Sequence, residues 1–314
     1  MPRRPGSPDG TRAVPRPMVF RARDHPDDVV AAQVAAGKWR RVGTGTYVPA
    51  AIVDPRALAV ARARGVHGRT VAPHAFSHET AAVLHGLALW SVGTLTHLKH
   101  AHRRSAHADP AIRHHRPLPA DEQIVTILGM PVTDLRATAW DCAVSMPPLP
   151  ALVVVDSALR AGVPRDDLTA IALAGRGRGS ARGRLIIELA DDGAESVRET
   201  MARFAFLRAG WPPPQTQVEV HTARGVVWAD LGWPEWKVVV EYDGLDKYRG
   251  REREALLAEK LRREAFLEAG WRAVHLTVAD SIAAIIGRTR RALPPGCLPP
   301  VRPVPLLSQA RRAS

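Results

Sequence analysis

The sequence of 314 residues contains only two cysteines, Cys142 and Cys297, which lie far apart along the chain. This usage fits a reducing compartment better than a disulfide framework. No run of about 18 apolar residues occurs, so no membrane span is expected. The first 18 residues are rich in Arg and Pro and lack the apolar segment of a secretory signal. These absences predict a cytoplasmic protein.

Acidic residues are also scarce relative to basic ones. The chain has 31 Asp and Glu against 44 Lys and Arg, a formal net charge of +13. Residues 1–120 hold 18 basic and 7 acidic side chains, so most of the excess lies there. Such a charge predicts an anionic partner, with nucleic acid first because counterion release favours phosphate binding. A general solubility bias is the alternative.

Lysine is rarer still, with five residues against 39 arginines. Three of them, Lys237, Lys247 and Lys260, fall within one short stretch of the C-terminal third. An amine can adjust its pKa to its surroundings, whereas a guanidinium stays charged. Lysines retained in an arginine-rich chain therefore mark a candidate site.

The length favours about two domains, and composition suggests where they begin and end. A proline-rich flexible arm is expected at 1–28 and a mostly helical domain at 29–174. A Gly/Arg-rich linker follows at 175–192, then an α/β domain at 193–290 and a loose tail at 291–314. The basic segment 40–50, RRVGTGTYVPA, has the character of a β-wing, which suggests a winged-helix module with too few helices before the wing. The predicted fold class is α/β (α+β) in two domains.

The C-terminal third predicts the order helix, three strands, helix, strand. Its strands read QTQVEVHT, GVVWADLGW, EWKVVVEYDG and WRAVHLT. The first three can form a meander, and the helix before the fourth provides a crossover to a mixed sheet.

Carboxylates follow the strands of this region. Asp230 ends one predicted strand, and Glu241 with Asp243 ends the next. Like charges at neighbouring strand ends repel each other unless a cation neutralises them, and Mg²⁺ prefers such oxygen ligands. The alternative is a solvated loop beside a hairpin.

Residues 194–277, through ESVRET, WADLGWPEWKVVVEYDG and EKLRREAFLEAGW, resemble the PD-(D/E)XK restriction-endonuclease-like superfamily. Within it they look like the very-short-patch-repair-like endonuclease domains. Residues 40–163, through RRVGTGTYVP, SHETAAVLHGL, GMPVTDLRATAWD and VVVDSALRAG, resemble the antitoxins of abortive-infection type IV toxin–antitoxin systems.

The first resemblance implies a role for each acidic position. Glu199 would be the helix acid, and Asp230 and Glu241 the ligands of Mg²⁺ or Mn²⁺. Asp243 occupies the position of the motif lysine, so a displaced lysine, Lys260 or Lys247, would serve instead. Two structural alternatives stay open: Glu199 could pair with Arg203 four residues on, and Asp243 before Gly244 could be a turn residue.

Histidines concentrate before residue 116. The set includes His97, His100, His102, His107, His114 and His115. No cysteine lies near them and their spacing matches no closed tetrahedral zinc site. The favoured interpretation is phosphate-facing strand positions or plain surface.

These features predict a DNA-binding protein with a Mg²⁺-dependent endonuclease domain, acting in defence or DNA repair. The alternative is an antitoxin-like transcriptional repressor whose nuclease fold is catalytically degenerate. The predicted partner is DNA, with a cognate toxin protein as the alternative.

Overall fold

A computed structural model of the chain describes residues 11–101, 109–243 and 252–308. The fold is mixed α/β, as predicted, with helices and three sheets. The chain divides into two compact units. We call Asp9–Met146 with Ser157–Glu188 the N-terminal unit, and the described residues of Pro147–Asp156 with Leu189–Ser314 the C-terminal unit.

The N-terminal unit begins with a small three-stranded sheet. Its elements are β1 (Phe20–Arg21), α1 (Asp27–Ala35), β2 (Trp39–Gly43) and β3 (Thr46–Pro49), with strand order β1-β3-β2. The turn between β2 and β3 uses Gly45 at φ +59°. The segment interpreted as a β-wing, 40–50, thus lies in an antiparallel strand pair, and the winged-helix module stays a prediction. Phe20 stacks on Trp39 with ring centroids 4.1 Å apart, so part of the predicted flexible arm is ordered.

The dipeptide Asp54-Pro55 favours a helix start, and helix α2 (Pro55–Arg69) begins there. Asp54 accepts hydrogen bonds from the backbone amides of Arg56 and Ala57. The pattern of the sequence predicts a helix end at Gly65, but the helix continues to Arg69. Gly65 faces β3 so closely that a Cβ there would lie 2.1 Å from Thr46 Oγ1. This glycine is a packing contact and not a helix end.

A five-stranded mixed sheet forms the centre of the N-terminal unit. Its strands are β4 (His74–Phe76), β5 (Thr96–His100), β6 (Ile112–His115), β7 (Ile124–Ile127) and β8 (Met130–Thr133), in the order β6-β5-β4-β8-β7. Two helices, α3 (His78–Leu84) and α4 (Leu135–Ser145), pack together beside it. The mostly helical domain predicted for 29–174 is thus a more even mixture of helices and strands, because its short strands carry little periodicity.

Three helices follow: α5 (Pro148–Arg160), α6 (Arg165–Ala174) and α7 (Ser180–Leu189). The predicted linker at 175–192 contains α7, in which Ile186 and Ile187 are buried. Helix α5 crosses the division between the units, since its first turns, up to Asp156, belong to the C-terminal unit. The boundary is therefore not a single exposed segment.

The C-terminal unit has the predicted element order. Helix α8 (Val197–Arg208) is followed by β9 (Gln215–Thr222), β10 (Gly225–Trp233), β11 (Val238–Asp243), α9 (Glu252–Glu268), β12 (Arg272–Thr277) and α10 (Ile282–Ala292). The sheet order is β12-β11-β10-β9. Strands β9, β10 and β11 form an antiparallel meander, and β12 pairs parallel with β11.

Helices α8 and α9 cover opposite faces of this sheet. Trp233 packs on Phe206 of α8, with ring centroids 4.9 Å apart. Gly232, the residue before Trp233, pairs with Val239 of β11. Val239 packs on the other face of the sheet, in the buried cluster that contains Phe266 of α9. Successive residues of a strand face opposite sides, so the two clusters fill separate layers.

The predicted loose tail is ordered as far as residue 308. The amide of Val304 donates to the carbonyl of Arg208, and Leu307 is buried. Among the described residues, the helices are all too short or too polar to cross a bilayer.

Candidate functional site

The strand that carries Asp230 is irregular at that residue. Ala229 pairs with Val218 and Leu231 with Thr216, so the register is kept on both sides of Asp230. Ala229 and Trp233 are four residues apart, so regular alternation would place both on the same face of the sheet. Ala229 instead packs in the Phe266 cluster on the opposite face. Gln217 on β9, which lies between the two partner residues, has φ +49°. The regular alternation of faces along β10 is therefore interrupted next to Asp230.

Asp230 lies where the β10–β11 ladder ends. Its Oδ2 accepts the backbone N–H of Tyr242 at 2.7 Å. On α8, burial and the charge of Asp230 raise the pKa of Glu199 to about 8. Glu199 Oε2 accepts the amide of Glu195 at 2.7 Å, while its own amide donates to Ser196 Oγ. A second acid is thus held close to Asp230.

Glu241 faces the opposite helix. It lies two residues from Val239, on the α9 side, and its side chain is buried. Arg262 of α9 donates from Nε to Glu241 Oε1 at 2.7 Å and from NH2 to the same oxygen. The same guanidinium also donates to the carbonyl of Trp228. Arg262 therefore neutralises Glu241 and ties α9 to two strands.

Of the two candidate lysines, Lys260 lies among the described residues, and its ion pair there is not with Glu199, Asp230 or Glu241. Lys260 is exposed and its nearest ionic partner is Glu264, 3.9 Å away on the same helix. It precedes Arg262 by two positions, which is about 200° around a helix. Lys247 lies outside the described residues, as does the side chain of Asp243, the last residue of β11. The cationic side chain that contacts Glu241 is thus Arg262 and not Lys260.

The structure thus brings Glu199 and Asp230 together and gives Glu241 a different partner. In the described part of the chain, the three acids do not form a group with ligand atoms within 4.8 Å of one another. The charge of Asp230, together with burial, favours a proton on Glu199, and a cation at this place would favour the ionised carboxylate instead. A cation shared by Asp230 and Glu241 requires Glu241 to leave Arg262.

The expected alternative partner of Glu199, Arg203, is engaged elsewhere. Arg203 NH2 donates to both carboxylate oxygens of Asp156 at 2.8 Å, and Thr200 donates to the same carboxylate at 2.9 Å. Both charged side chains are almost fully buried. Desolvation raises the pKa of Asp156 although Arg203 opposes that shift. The i,i+4 pairing suggested by the sequence is therefore replaced by a buried ion pair with α5.

A second cluster, in the N-terminal unit, was not predicted. His78, at the start of α3, His97 on β5 and His115 on β6 place one ligand atom each within 4.8 Å of one another. We call these three residues the histidine cluster. The rings of His78 and His115 stack at 3.7 Å, and His97 Nδ1 lies 3.1 Å from His115 Nε2. Two of these histidines had been interpreted as phosphate-facing or surface positions, and His102 and His107 lie outside the described residues.

Burial is the main cause that lowers the pKa of each histidine in the cluster. The next cause is Arg113 for His97, whose pKa falls to about 4, and a neighbouring histidine for His115, whose pKa falls to about 3, and for His78, whose pKa moves far down. Beside the cluster, Lys99 Nζ donates to Asp141 at 2.8 Å. Burial raises the pKa of Asp141, while Lys99 opposes that shift. The sequence gives no direct signal for this cluster, because His97 and His115 meet only through the parallel pairing of β5 with β6.

Comparison with known proteins places the chain beside two uncharacterized proteins of Mycobacterium tuberculosis. They are MT2308 of strain CDC 1551 / Oshkosh and Rv2248 of strain ATCC 25618 / H37Rv, each 32% identical over 133 residues. The match covers 41% of this chain and 48% of each relative. The chain thus matches about half the length of these curated relatives. No protein-family model and no solved structure matches the chain.

Proposed function

We propose that this protein binds DNA and that its C-terminal unit is a Mg²⁺-dependent endonuclease with a restriction-endonuclease-like architecture. The observation that carries the proposal is the pair Glu199 and Asp230. Burial and the charge of Asp230 raise the pKa of Glu199, and Asp230 is held by the Tyr242 amide where the β10–β11 ladder ends. The order α8, β9, β10, β11, α9, β12 supports it, because it matches the order inferred from the sequence. The cytoplasm is the proposed compartment, and defence or DNA repair the proposed setting.

Several residues of this chain have definable parts in such a reaction. Asp230 would hold the cation, with Glu199 of α8 as its partner. Glu241, the other ligand that the resemblance implies, lies on the α9 side of the sheet and is paired with Arg262. Bound at Asp230, Mg²⁺ or Mn²⁺ supplies Lewis acidity toward a phosphodiester. The Tyr242 amide fixes the orientation of the Asp230 carboxylate. Arg262, near the same strand ends, can stabilise negative charge on a phosphate. Asp243, Lys247 and Lys260 remain proposed contributors.

A second function is favoured by a different observation. Glu241 is already neutralised by Arg262, and Lys260 pairs with Glu264. A site in which the second acid is tied to an arginine suits a protein that binds DNA without cleaving it. In that case the protein is an antitoxin-like repressor, with a cognate toxin as its partner.

Plasmid DNA and single-stranded DNA incubated with the protein and Mg²⁺ or Mn²⁺ distinguish the two functions. Cleavage by the native chain should fall about 10²–10⁴-fold in Asp230→Asn, a loss of about 3–5 kcal/mol of transition-state stabilisation. Glu219→Gln is the matched control, since it removes an exposed carboxylate from β9.

Each result has a separate meaning. Cleavage lost in Asp230→Asn and kept in Glu219→Gln supports the endonuclease. Equal cleavage by the native chain and an Asp230→Ala/Glu241→Ala double variant indicates a contaminant. DNA retention that weakens steeply with salt, without cleavage, supports the repressor. No retention at low salt contradicts both.

A further inference from the structure

The histidine cluster has a geometry that neither proposed function uses. His97 Nδ1 and His115 Nε2 are 3.1 Å apart, and the His78 ligand atom lies within 4.8 Å of both. Two ligands of one tetrahedral zinc ion, each about 2.0–2.1 Å from the metal, are separated by about 3.3 Å. The His97–His115 pair therefore has the spacing of two imidazoles that share an ion.

The backbone holds His78 in an uncommon conformation. His78 has φ +53°, in the left-handed region, at the first residue of α3. Non-glycine residues there persist where the surrounding structure imposes them, and such positions concentrate at functional sites. The His78 side chain is buried, and its ring stacks on the ring of His115.

The ring of His78 also has a fixed hydrogen-bond partner. His78 Nδ1 lies 2.9 Å from Ser77 Oγ. If Nδ1–H donates to this hydroxyl, Nε2 carries the lone pair that a metal requires. Metal-binding histidines commonly have such a second partner, which fixes the tautomer.

The charges around the cluster suit a cation as well. Lys99 is the ammonium nearest the cluster, and it is paired with Asp141 at 2.8 Å. Asp141 Oδ2 in turn lies 3.7 Å from His78 Nδ1. The Asp141 carboxylate therefore offsets the charge of the Lys99 ammonium beside the cluster.

We propose that His78, His97 and His115 bind a first-row transition-metal ion, with Zn²⁺ as the fitting species. Three imidazoles leave one tetrahedral position for water or another ligand, and imidazole is a preferred ligand of Zn²⁺. The site lies within the N-terminal unit and is independent of the carboxylates of the proposed endonuclease.

The test uses the full-length chain, freed of metal with a chelator and dialysed. Zn²⁺ is titrated by calorimetry in excess Mg²⁺, which saturates carboxylate sites. We expect one Zn²⁺ per chain, bound about 100-fold or more weakly in His97→Ala and in His115→Ala. His114→Ala is the matched control, because His114 adjoins His115 but faces the other side of β6 and contacts His100 at 2.8 Å.

Zinc-edge X-ray absorption of the zinc-loaded native chain identifies the ligands directly. It needs no substitution, so misfolding of a variant cannot affect the result. We expect imidazole nitrogens at about 2.0–2.1 Å and no sulfur in the first shell. Absence of stoichiometric Zn²⁺ binding overturns the proposal. So does a sulfur-containing shell, unchanged affinity in the His97 and His115 variants, or an equal loss in His114→Ala.

Discussion

Glu199 takes part both in the hydrogen bonds at the start of helix α8 and in the candidate site beside Asp230. Its carboxylate accepts the Glu195 amide, and its backbone amide donates to Ser196, so it completes the start of α8. The same carboxylate is buried and lies in the field of Asp230, which together raise its pKa. A capping role alone does not require a second acid nearby.

Stability should therefore depend on pH through Glu199. Its pKa is about 8 in the folded chain against 4.5 when unperturbed, so the folded state holds the proton more tightly. This contribution is fully present below pH 4.5 and is lost as pH rises through 8, by at most about 1.4 kcal/mol per pH unit. Urea unfolding at several pH values between 5 and 8 measures the slope.

Glu199→Gln should flatten that slope, because the amide does not titrate. Mg²⁺ should flatten it too if a cation replaces the proton between the carboxylates. Glu219→Gln, an exposed control on β9, should leave the slope unchanged. A slope that persists in Glu199→Gln would assign the titration to another group.

At the scale of elements, two glycines within helices show that the effect of a Gly→Ala substitution depends on packing as well as on helix propensity. Gly65 lies within α2 and Gly287 within α10. A Cβ at Gly65 would collide with Thr46, whereas the nearest atom at Gly287 is the flexible end of Arg291, 3.7 Å away. The same substitution should therefore have opposite effects in the two helices.

Gly65→Ala should lower the free energy of unfolding by about 1–2 kcal/mol, since overpacking costs more than the gain in helix propensity. Gly287→Ala should raise it by up to about 1 kcal/mol. Chemical denaturation of both variants beside the native chain measures the difference. A stabilising Gly65→Ala would show that β3 can move away from α2.

At the scale of the whole molecule, the division into units depends on a segment that composition does not mark. Pro147–Asp156 belongs to the C-terminal unit, although the chain segments directly before and after it belong to the N-terminal unit. Asp156 provides its principal ionic contact, with Arg203, and also accepts the amide of Asp191. The C-terminal unit therefore needs part of α5.

Asp156→Ala should destabilise the C-terminal unit by about 3–5 kcal/mol, because it leaves the Arg203 guanidinium buried without its counter-ion. Lys260→Ala, which breaks an exposed pair, should change stability by no more than about 0.5 kcal/mol. Unfolding followed by tryptophan fluorescence measures both, since Trp211 and Trp233 are buried in this unit. Similar stabilities for the two variants would contradict the importance of the buried pair.

The sequence by itself determined the elements of the C-terminal unit. Apolar strands and Gly-terminated helices follow from local patterns of two and 3.6 residues. The expectation that Asp230 ends its strand was wrong, since β10 continues to Trp233. The β2–β3 hairpin and the Asp54 cap follow from local chemistry in the same way.

Only the tertiary structure decided which side chains meet. Arg262 reaches Glu241 across 21 residues, Asp156 reaches Arg203 across 47, and His97 meets His115 through a parallel strand pair. The distortion at Asp230 also depends on Gln217 of another strand. Periodicity assigns a residue to an element and a face, but ion pairs and ligand clusters depend on which elements pack together, and that is set by the whole core.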